Sequence, residues 1–258
     1  MSQVKAGGAL SDSQPQCATL RQAFEGALFP SPWSFGPNAG VLVGLFDLHD
    51  WHPWQADAYA LLDARERDRV QGRRMATDRD HLALAYALHR LLLGNALGRD
   101  AASVPIGRDA AGCPRLSDGL LSTSLSHADR VLALAISATG PVGVDIEPAS
   151  RAPVMPEIAA QVCHPADAAE IAGLTGPPWS EALLALWVRK EAYLKAAGIG
   201  LQRDMATFRA SDNALLALPG DGMTWVRMLH AGPRWVAAVA GAPDIPAESA
   251  WLRPAAPS

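Results

Sequence analysis

The sequence predicts an α+β fold composed of two similar α+β lobes that meet near Gly140. Strand-like segments with a two-residue apolar period occur in both halves of the chain. Each half also contains one long helical segment rich in Ala and Leu, at 82–97 and at 181–197, and a glycine directly follows each segment. The order strand, helical segments, long helix and strand hairpin therefore occurs twice, although residue identity between the halves is weak.

The predicted boundaries follow the composition of the chain. Residues 1–20 contain few bulky apolar side chains, which predicts a poorly ordered lead-in. We assign 21–140 to an N-terminal lobe, 141–250 to a C-terminal lobe and 251–258 to a flexible tail.

The predicted elements of the first lobe are, in chain order, a strand at 41–48, a charged helix at 56–70, an apolar helix at 82–97, a loop at 107–116, and strands at 121–125 and 131–137 with a tight connection at 126–130. Arginines are concentrated between 65 and 79. A run of charges of this kind is usually a solvated helix face.

The predicted elements of the second lobe are a strand at 142–147, helical material at 155–174, the long helix at 181–197, and strands near Phe208, at 224–229 and at 234–239. A Gly-Pro turn at 232–233 connects the last two strands as a hairpin. The second lobe therefore repeats the layout of the first.

The segment 142–147 carries two carboxylates on one face of its predicted strand. Asp145 and Glu147 are two residues apart, so their side chains point to the same side, roughly 7 Å apart by strand rise. Two anions at this separation repel each other unless a cation or water intervenes, and Mg²⁺ prefers oxygen ligands of this kind. A strand end exposed to solvent before Pro148 accounts for the same pair without a metal.

The long helix at 181–197 places Trp187, Glu191 and Lys195 on one face, at positions i, i+4 and i+8. A Glu four residues before a Lys is commonly a surface ion pair, worth only ~0.2–0.5 kcal/mol. The adjacent Trp and the apolar residues on the other faces favour a semi-enclosed site instead.

Two motifs on these elements resemble those of a known family. The segment Gly-Val-Asp-Ile-Glu at 143–147, followed by Trp-x-x-Lys-Glu-Ala-x-x-Lys-Ala-x-Gly-x-Gly-Leu at 187–201, is similar to the 4′-phosphopantetheinyl transferases, of the larger type that activates surfactin- and enterobactin-like synthetases. The second motif is long and specific, and the separation of Glu147 from Glu191 is also similar to that of the family. The resemblance implies two lobes related by a pseudo-twofold axis.

The resemblance also implies an enzyme, a holo-[acyl-carrier-protein] synthase that uses coenzyme A as substrate and Mg²⁺, or Mn²⁺, as cofactor. It would transfer the 4′-phosphopantetheine arm to a serine hydroxyl of an apo acyl or peptidyl carrier protein and release adenosine 3′,5′-bisphosphate. Asp145, Glu147 and Glu191 would bind the metal. Glu191 would also accept the serine proton, and Lys195 would neutralise charge on the leaving group.

Further residues match the coenzyme A contacts of the family. Arg79 and His81 lie in a stretch, 78–81, similar to the turn that binds the 3′-phosphate, although His81 stands where an Arg is common, and Arg90 takes the matching later position. Lys190, one helical step from Glu191, is assigned to the pyrophosphate or the incoming carrier protein.

The hairpin of the first lobe contributes more of these contacts. Ser126 and His127 end a motif similar to Asn-(Ile/Leu)-Ser-His, with Ser124 in place of the Asn. At the Gly-Cys-Pro-Arg segment, 112–115, Cys113 replaces the lysine of the Gly-Lys-Pro turn, and Arg115 is the residue that would compensate.

The composition argues against several other classes of protein. The 258 residues carry a net charge of −4 with a pI of about 6.0, which gives no footprint for nucleic acid. The three cysteines show no metal-binding spacing, and the chain has neither a long uncharged apolar run nor the pattern of a signal peptide. We expect a monomeric, cytoplasmic protein that acts away from membranes.

Two alternative functions share part of this pattern. A non-catalytic module that binds coenzyme A or a carrier protein would keep the basic pocket without needing the three carboxylates. Another metal-dependent phosphotransferase would need the carboxylates but not the long Trp-Lys-Glu-Lys motif.

Overall fold

The strand β1 (Val41–Asp47) illustrates how the sequence builds the layers of the molecule. Val41 and Val43 face one apolar cluster, whereas Leu42 and Phe46 face another, because successive side chains of a strand point to opposite faces. Both faces of this strand are therefore covered, which explains its nearly continuous apolar sequence.

The computed structural model describes residues 18–27, 40–109, 112–200 and 203–255. Most of the predicted lead-in, residues 1–17, lies outside these ranges. Residues 18–20 already belong to an ordered segment, because Thr19 caps helix α1 and Leu20 is buried.

The helices of the first lobe are α1 (Leu20–Glu25), α2 (Leu48–Trp51), α3 (Gln55–Leu61), α4 (Ala64–Gln71) and α5 (Ala76–Leu97). The charged helix predicted at 56–70 is two helices, because Asp63 caps α4 in a capping box with Glu66. Helix α5 begins at Ala76, so the predicted turn at 78–81 is its first helical turns. Gly98 ends α5 in the left-handed conformation, as predicted.

The strands that follow α5 are β2 (Ile106–Arg108), β3 (Pro114–Leu116), β4 (Ser122–Ala128) and β5 (Val131–Ser137). The loop predicted at 107–116 is therefore a small hairpin, in which β2 pairs with β3. Strand β4 continues through Ser126 and His127, and the turn is formed by Asp129 and Arg130. The prediction that Ser126 and His127 lie in the connection is wrong.

The elements of the second lobe are β6 (Gly143–Pro148), a 3-10 segment (Ala149–Ile158), α6 (Ala159–Val162), α7 (Pro165–Ile171), α8 (Pro177–Ala197), β7 (Ala214–Ala217), β8 (Met223–Leu229), β9 (Trp235–Gly241) and β10 (Ala247–Trp251). Helix α8 begins at two prolines, which are tolerated there because the first helical N–H groups have no partner within the helix. Phe208 follows a 3-10 turn at Met205–Thr207 and is not in a strand, contrary to prediction.

Two four-stranded sheets pack face to face, with the long helices on the outside. The strand orders are β10-β1-β5-β4 and β6-β9-β8-β7. One apolar cluster lies between the sheets, a second joins α5 to the first sheet, and a third joins α8 to the second sheet. The α+β class is confirmed, and the antiparallel trio β1-β5-β4 has its counterpart in β6-β9-β8. The pseudo-twofold axis stays a prediction.

The last strand departs from the predicted boundaries. Strand β10 was assigned mainly to the second lobe, but it pairs in parallel with β1 in the first sheet. Leu252 is buried, and the Trp51 side chain donates a hydrogen bond to its carbonyl oxygen. The predicted flexible tail is thus a packed segment at 251–255, and residues 256–258 lie outside the described ranges. No helix in the described part of the chain is long and apolar enough to cross a membrane.

Candidate active site

The candidate site begins where strand β6 meets helix α8. A Cβ atom added to Gly143 would lie 2.0 Å from the carbonyl oxygen of Ala192 and 2.5 Å from the amide nitrogen of Ala196, so only glycine permits this approach. Asp145 and Glu147 share a strand face with Gly143 and are thereby directed towards α8. Both carboxylates lie near enough to Glu191 to raise its pKa, as expected for side chains on one strand face.

Asp145 is the most buried of these acids and accepts hydrogen bonds from two side chains. Its Oδ1 atom accepts hydrogen bonds from the Ser126 hydroxyl and from the Lys195 ammonium, both at 2.7 Å. The ammonium also donates to the Val144 carbonyl oxygen at 3.1 Å. The Oδ2 atom is buried without a hydrogen-bond partner among the described residues. An orphaned carboxylate oxygen is costly, and a bound cation would satisfy it.

The serines of β4 hold the two lobes together at this point. Ser124 and Ser126 lie on the same face of β4, and their hydroxyls contact the consecutive residues Val144 and Asp145. Ser126, which was predicted to bind coenzyme A, is buried and is engaged with Asp145 instead. Replacement of the usual Asn by Ser124 leaves an acceptor for the Val144 amide at 3.1 Å.

Glu147 is paired with a residue that the sequence analysis did not single out. Its carboxylate forms an ion pair with Arg151, four residues later in the 3-10 segment. The Arg151 guanidinium also lies 4.9 Å from the centre of the Trp187 ring. The spacing of Glu147 and Arg151 was visible in the sequence, but a strand followed by a 3-10 segment does not follow the helical i, i+4 rule.

Glu191 combines burial with negative neighbours. Loss of hydration, followed by the charge of Asp145, raises the pKa of Glu191 to about 7, against the opposing effect of Lys195. No hydrogen bond or ion pair joins its carboxylate to another described residue. Burial, followed by the charge of Asp145, also raises the pKa of Glu147. We call Asp145, Glu147 and Glu191 the carboxylate cluster.

A group of basic side chains from both lobes lies beside the carboxylate cluster. Partial loss of hydration, together with the positive charges of Lys195, Arg73 and His81, lowers the pKa of His127. Lys195, Arg73 and His81 therefore lie near His127, and we call these four side chains the cationic face. Arg73, which lies in the predicted arginine run, was not assigned to the site; it precedes α5, whereas His81 lies within it.

Two other predicted phosphate ligands, Arg79 and Arg115, already use one of their guanidinium nitrogens in contacts within the protein. One Arg79 nitrogen donates to the carbonyl oxygens of Arg73 and Arg74, which closes the turn before α5. Arg115 forms an ion pair with Asp109 at 2.9 Å and lies against Gly198, at the end of α8. Cys113 is half-buried, and burial followed by the charge of Asp109 raises the pKa of its thiol, against the effects of Arg115 and Lys195.

Two predicted ligands are structural, and these predictions are wrong. The Lys190 ammonium is fully buried, forms an ion pair with Asp167 at 2.7 Å and donates to the carbonyl oxygens of Val162, Met205 and Phe208. Its position beside Glu191 in the sequence turns it away from the site, because consecutive helical residues are about 100° apart. It joins α8 to the segments that surround the second core.

Arg90 is the second of these residues. Its side chain is 1% exposed and forms ion pairs with Asp63 and Glu66. It also donates to the carbonyl oxygens of Ala101, Ala102 and Val104. A guanidinium enclosed in this way stabilises the first lobe and is not accessible to a phosphate.

The carboxylate oxygens of the cluster are of the kind that bind a divalent cation. In the described ranges, however, no three acidic, His or Cys side chains converge as a preformed metal site. Asp145 and Glu191 offer oxygens that no described residue occupies, and Mg²⁺ commonly takes only one or two carboxylates when phosphates supply other ligands. Glu147 is already paired with Arg151.

The fold and the site together define an α+β protein in which strand and helix carboxylates lie beside a cationic face. Residues 141–229 match the model of the 4′-phosphopantetheinyl transferase superfamily, so this part of the chain is a domain of that superfamily. The matched range contains Asp145, Glu147, Glu191 and Lys195. Comparison with curated proteins found no match. The domain supports phosphopantetheinyl transfer as the general activity, and the larger type remains a prediction.

Proposed function

We propose that this protein transfers the 4′-phosphopantetheine arm of coenzyme A to a serine of an apo acyl or peptidyl carrier protein. The observation that carries the proposal is the position of Lys195. Its ammonium is 2.7 Å from Asp145 Oδ1 in the carboxylate cluster, and its charge also acts on His127 in the cationic face. A ligand with several phosphates and an accompanying divalent cation suits this combination of charges.

The proposed reaction forms one bond and breaks one. The serine oxygen attacks the β-phosphorus of coenzyme A, and the bond from that phosphorus to the bridging oxygen breaks. Adenosine 3′,5′-bisphosphate leaves with the electron pair of that bond. Glu191, with its pKa raised to about 7, accepts the serine proton.

The remaining residues bind and orient the substrate. Arg79, His81, Arg115 and His127 are proposed to contact phosphates, and Lys195 to neutralise charge that develops on the leaving group. Asp145 and Glu191 would hold Mg²⁺ or Mn²⁺, whereas Glu147, the third predicted ligand, is paired with Arg151, and the bound ion would neutralise the pyrophosphate. Ser126 would fix the Asp145 carboxylate through the hydrogen bond to Oδ1.

The test is a mass measurement on apo carrier proteins incubated with this protein, coenzyme A and Mg²⁺. We expect the carrier to gain the mass of one phosphopantetheine group, and a panel of carriers from fatty acid, polyketide and peptide synthesis identifies the preferred class. Glu191→Gln should slow the transfer by on the order of 10²-fold or more. Glu181→Gln, at an exposed glutamate in the same helix, is the matched control.

Other outcomes separate the alternatives. Coenzyme A binding without transfer to any carrier of the panel would favour a binding module. Release of phosphate or nucleotide products without modification of a carrier would favour another phosphotransferase. Raised Mg²⁺ should restore metal occupancy in Glu191→Gln without restoring the rate, and full recovery would remove the proton-accepting role.

A further inference from the structure

Arg151 is a cation within the carboxylate cluster that no part of the proposed reaction uses. It follows β6 directly, and its guanidinium forms the ion pair with Glu147. The side chains of Arg151 and Glu147 are 34% and 16% exposed, so the pair is partly shielded from solvent. Shielding makes such a pair stronger than an ion pair in open solvent.

A second contact fixes the guanidinium on its other side. It lies 4.9 Å from the centre of the Trp187 ring, and Trp187 is one helical turn before Glu191 on α8. A planar guanidinium can stack on an aromatic ring and pair with a carboxylate at the same time, which an ammonium does less well. Arg151 is thereby held between the strand that carries Glu147 and the helix that carries Glu191.

The three carboxylates consequently differ in what they offer a metal. Asp145 has a buried, unpartnered Oδ2 atom, and the Glu191 carboxylate has no ion pair or hydrogen bond with another described residue. Asp145 is paired with Lys195 through Oδ1 only, whereas the Glu147 carboxylate is paired with an arginine that also lies on the Trp187 ring. Asp145 Oδ2 and the Glu191 carboxylate are therefore open to a metal, whereas a metal would have to compete with Arg151 for Glu147.

We propose that Arg151 is an internal counter-cation that withholds Glu147 from the divalent ion and so weakens metal binding at this site. The ion is then held on the protein side by Asp145 and Glu191, while Glu147 remains with Arg151. The inference deepens the proposed function, because it assumes that the site takes a divalent cation. Weak binding by the protein alone makes metal occupancy depend on the ligands that the substrate phosphates bring.

The experiment is a titration with Mn²⁺, followed by the electron paramagnetic resonance signal of free Mn²⁺, with coenzyme A present and no carrier protein. We expect Arg151→Ala to bind Mn²⁺ roughly three- to tenfold more tightly than the unmodified protein, the scale of a lost shielded ion pair. Glu147→Gln alone should change the affinity by less than about threefold, whereas Asp145→Asn should weaken it at least about tenfold. Arg130→Ala, which removes the ion pair with Asp47, is the matched control.

The double variant Arg151→Ala with Glu147→Gln separates release of Glu147 from a general change in charge. We expect it to lose the gain seen in Arg151→Ala, because the gain comes from the freed Glu147. Retention of that gain would overturn the proposal, as would equal losses in Glu147→Gln and Asp145→Asn, or no gain in Arg151→Ala. If Arg151→Ala does not fold, as judged by circular dichroism, Arg151→Gln takes its place in the series.

The titration is independent of the transfer assay. Failure to modify any carrier protein, together with the expected Mn²⁺ affinities, would reject the proposed function and leave the role of Arg151 intact. Normal transfer together with unchanged Mn²⁺ affinity in Arg151→Ala would support the proposed function and reject the role of Arg151.

Discussion

Glu191, the proposed proton acceptor, is a buried carboxyl with a raised pKa. The carboxyl has an ordinary pKa of 4.5, and burial together with Asp145 raises the pKa to about 7 in the folded protein. A base that titrates near neutral pH has a substantial ionised fraction and still binds a proton well. The raised pKa also lowers the free energy of unfolding at neutral pH, because ionising this carboxyl is less favourable in the folded protein than in the unfolded chain.

We therefore predict that Glu191→Gln stabilises the metal-free protein in a pH-dependent way. Below about pH 4.5 the carboxyl is protonated in both states and contributes little difference. As the pH rises from about 4.5 to about 7, the unfolded chain ionises first, so the unmodified protein loses stability relative to the variant. The gain should reach on the order of 1–3 kcal/mol above pH 7, measured by chemical denaturation in a chelator. Glu181→Gln should show no such trend, and a pH-independent difference for Glu191→Gln would contradict the shift.

His127 gives a second pH prediction. Its pKa is lowered by lost hydration and by the nearby cations, so the free protein holds a mostly neutral imidazole at neutral pH. A bound 3′-phosphate would favour the protonated form, and binding would then take up a proton. We expect coenzyme A to bind more tightly as the pH falls from about 7.5 to about 6.5, above the range in which the 3′-phosphate itself gains a proton, measured by calorimetry in a chelator.

The comparison with dephospho-coenzyme A isolates this effect, because that ligand lacks the 3′-phosphate. Its affinity should vary little over the same range, and His127→Ala should remove the pH dependence for coenzyme A. A parallel pH dependence for the two ligands would contradict the assignment of His127 to the 3′-phosphate.

At the level of residues, the sequence predicted which side chains meet but not always what they contact. Asp145, Glu191 and Lys195 come together because their spacing on a strand and a helix is fixed by backbone geometry. Lys190 and Arg90 could not be separated from ligand-binding cations, because a buried cation is recognised only by the carbonyl and carboxylate oxygens around it. Those oxygens come from segments distant in sequence.

The contact between β6 and α8 is the element-scale feature that positions the site. Gly143 lets the strand lie directly against the helix backbone at Ala192, and this closeness brings Asp145 to Lys195. A residue with a side chain at 143 would force the two elements apart. The resemblance drew attention to this glycine, but only the packed structure gives the physical reason for it.

We predict that Gly143→Ala destabilises the protein and impairs the site together. The added Cβ would lie 2.0 Å from a backbone oxygen, so relief requires movement of the strand or the helix. The free energy of unfolding should fall by about 1–3 kcal/mol, the usual scale for overpacking in a core. Thermal unfolding measures it, and Mn²⁺ titration at a temperature where the variant is folded measures the effect on the site. Gly173→Ala is the control, because its added Cβ would meet no atom within 4 Å, and equal stability of the two variants would contradict the prediction.

Element boundaries were predictable where a single residue type decides them. Gly98 and Gly198 end α5 and α8 in left-handed conformations, as their positions predicted. The break between α3 and α4 was missed, because the capping role of Asp63 is hidden in a run of charged residues that all favour a helix. The short β2–β3 hairpin was missed because its strands have three residues each, too few for a recognisable period.

At the scale of the whole molecule, the C-terminal strand joins the two lobes. Strand β10 follows β9 of the second sheet in the chain but belongs to the first sheet. It pairs in parallel with β1, from Val41 opposite Ala247 to Leu45 opposite Trp251. This pairing could not be predicted from local sequence, because a strand's partner depends on the arrangement of distant elements. It covers the backbone of β1, which would otherwise be an edge strand.

Removal of residues 247–258 should therefore expose β1 while leaving the second sheet intact. Strand β1 would lose its hydrogen bonds to β10, and the buried Leu252 would no longer contribute its carbonyl to Trp51. We expect faster hydrogen exchange in the peptide that contains Val41–Asp47, measured by mass spectrometry, and increased self-association through the new edge.

Strand β8 (Met223–Leu229), between β9 and β7, is the internal reference and should retain its protection. A chain that ends at Ala255 keeps β10 and serves as the control. Unchanged exchange in β1 after the longer deletion would mean that the inner apolar layer, and not β10, protects this strand.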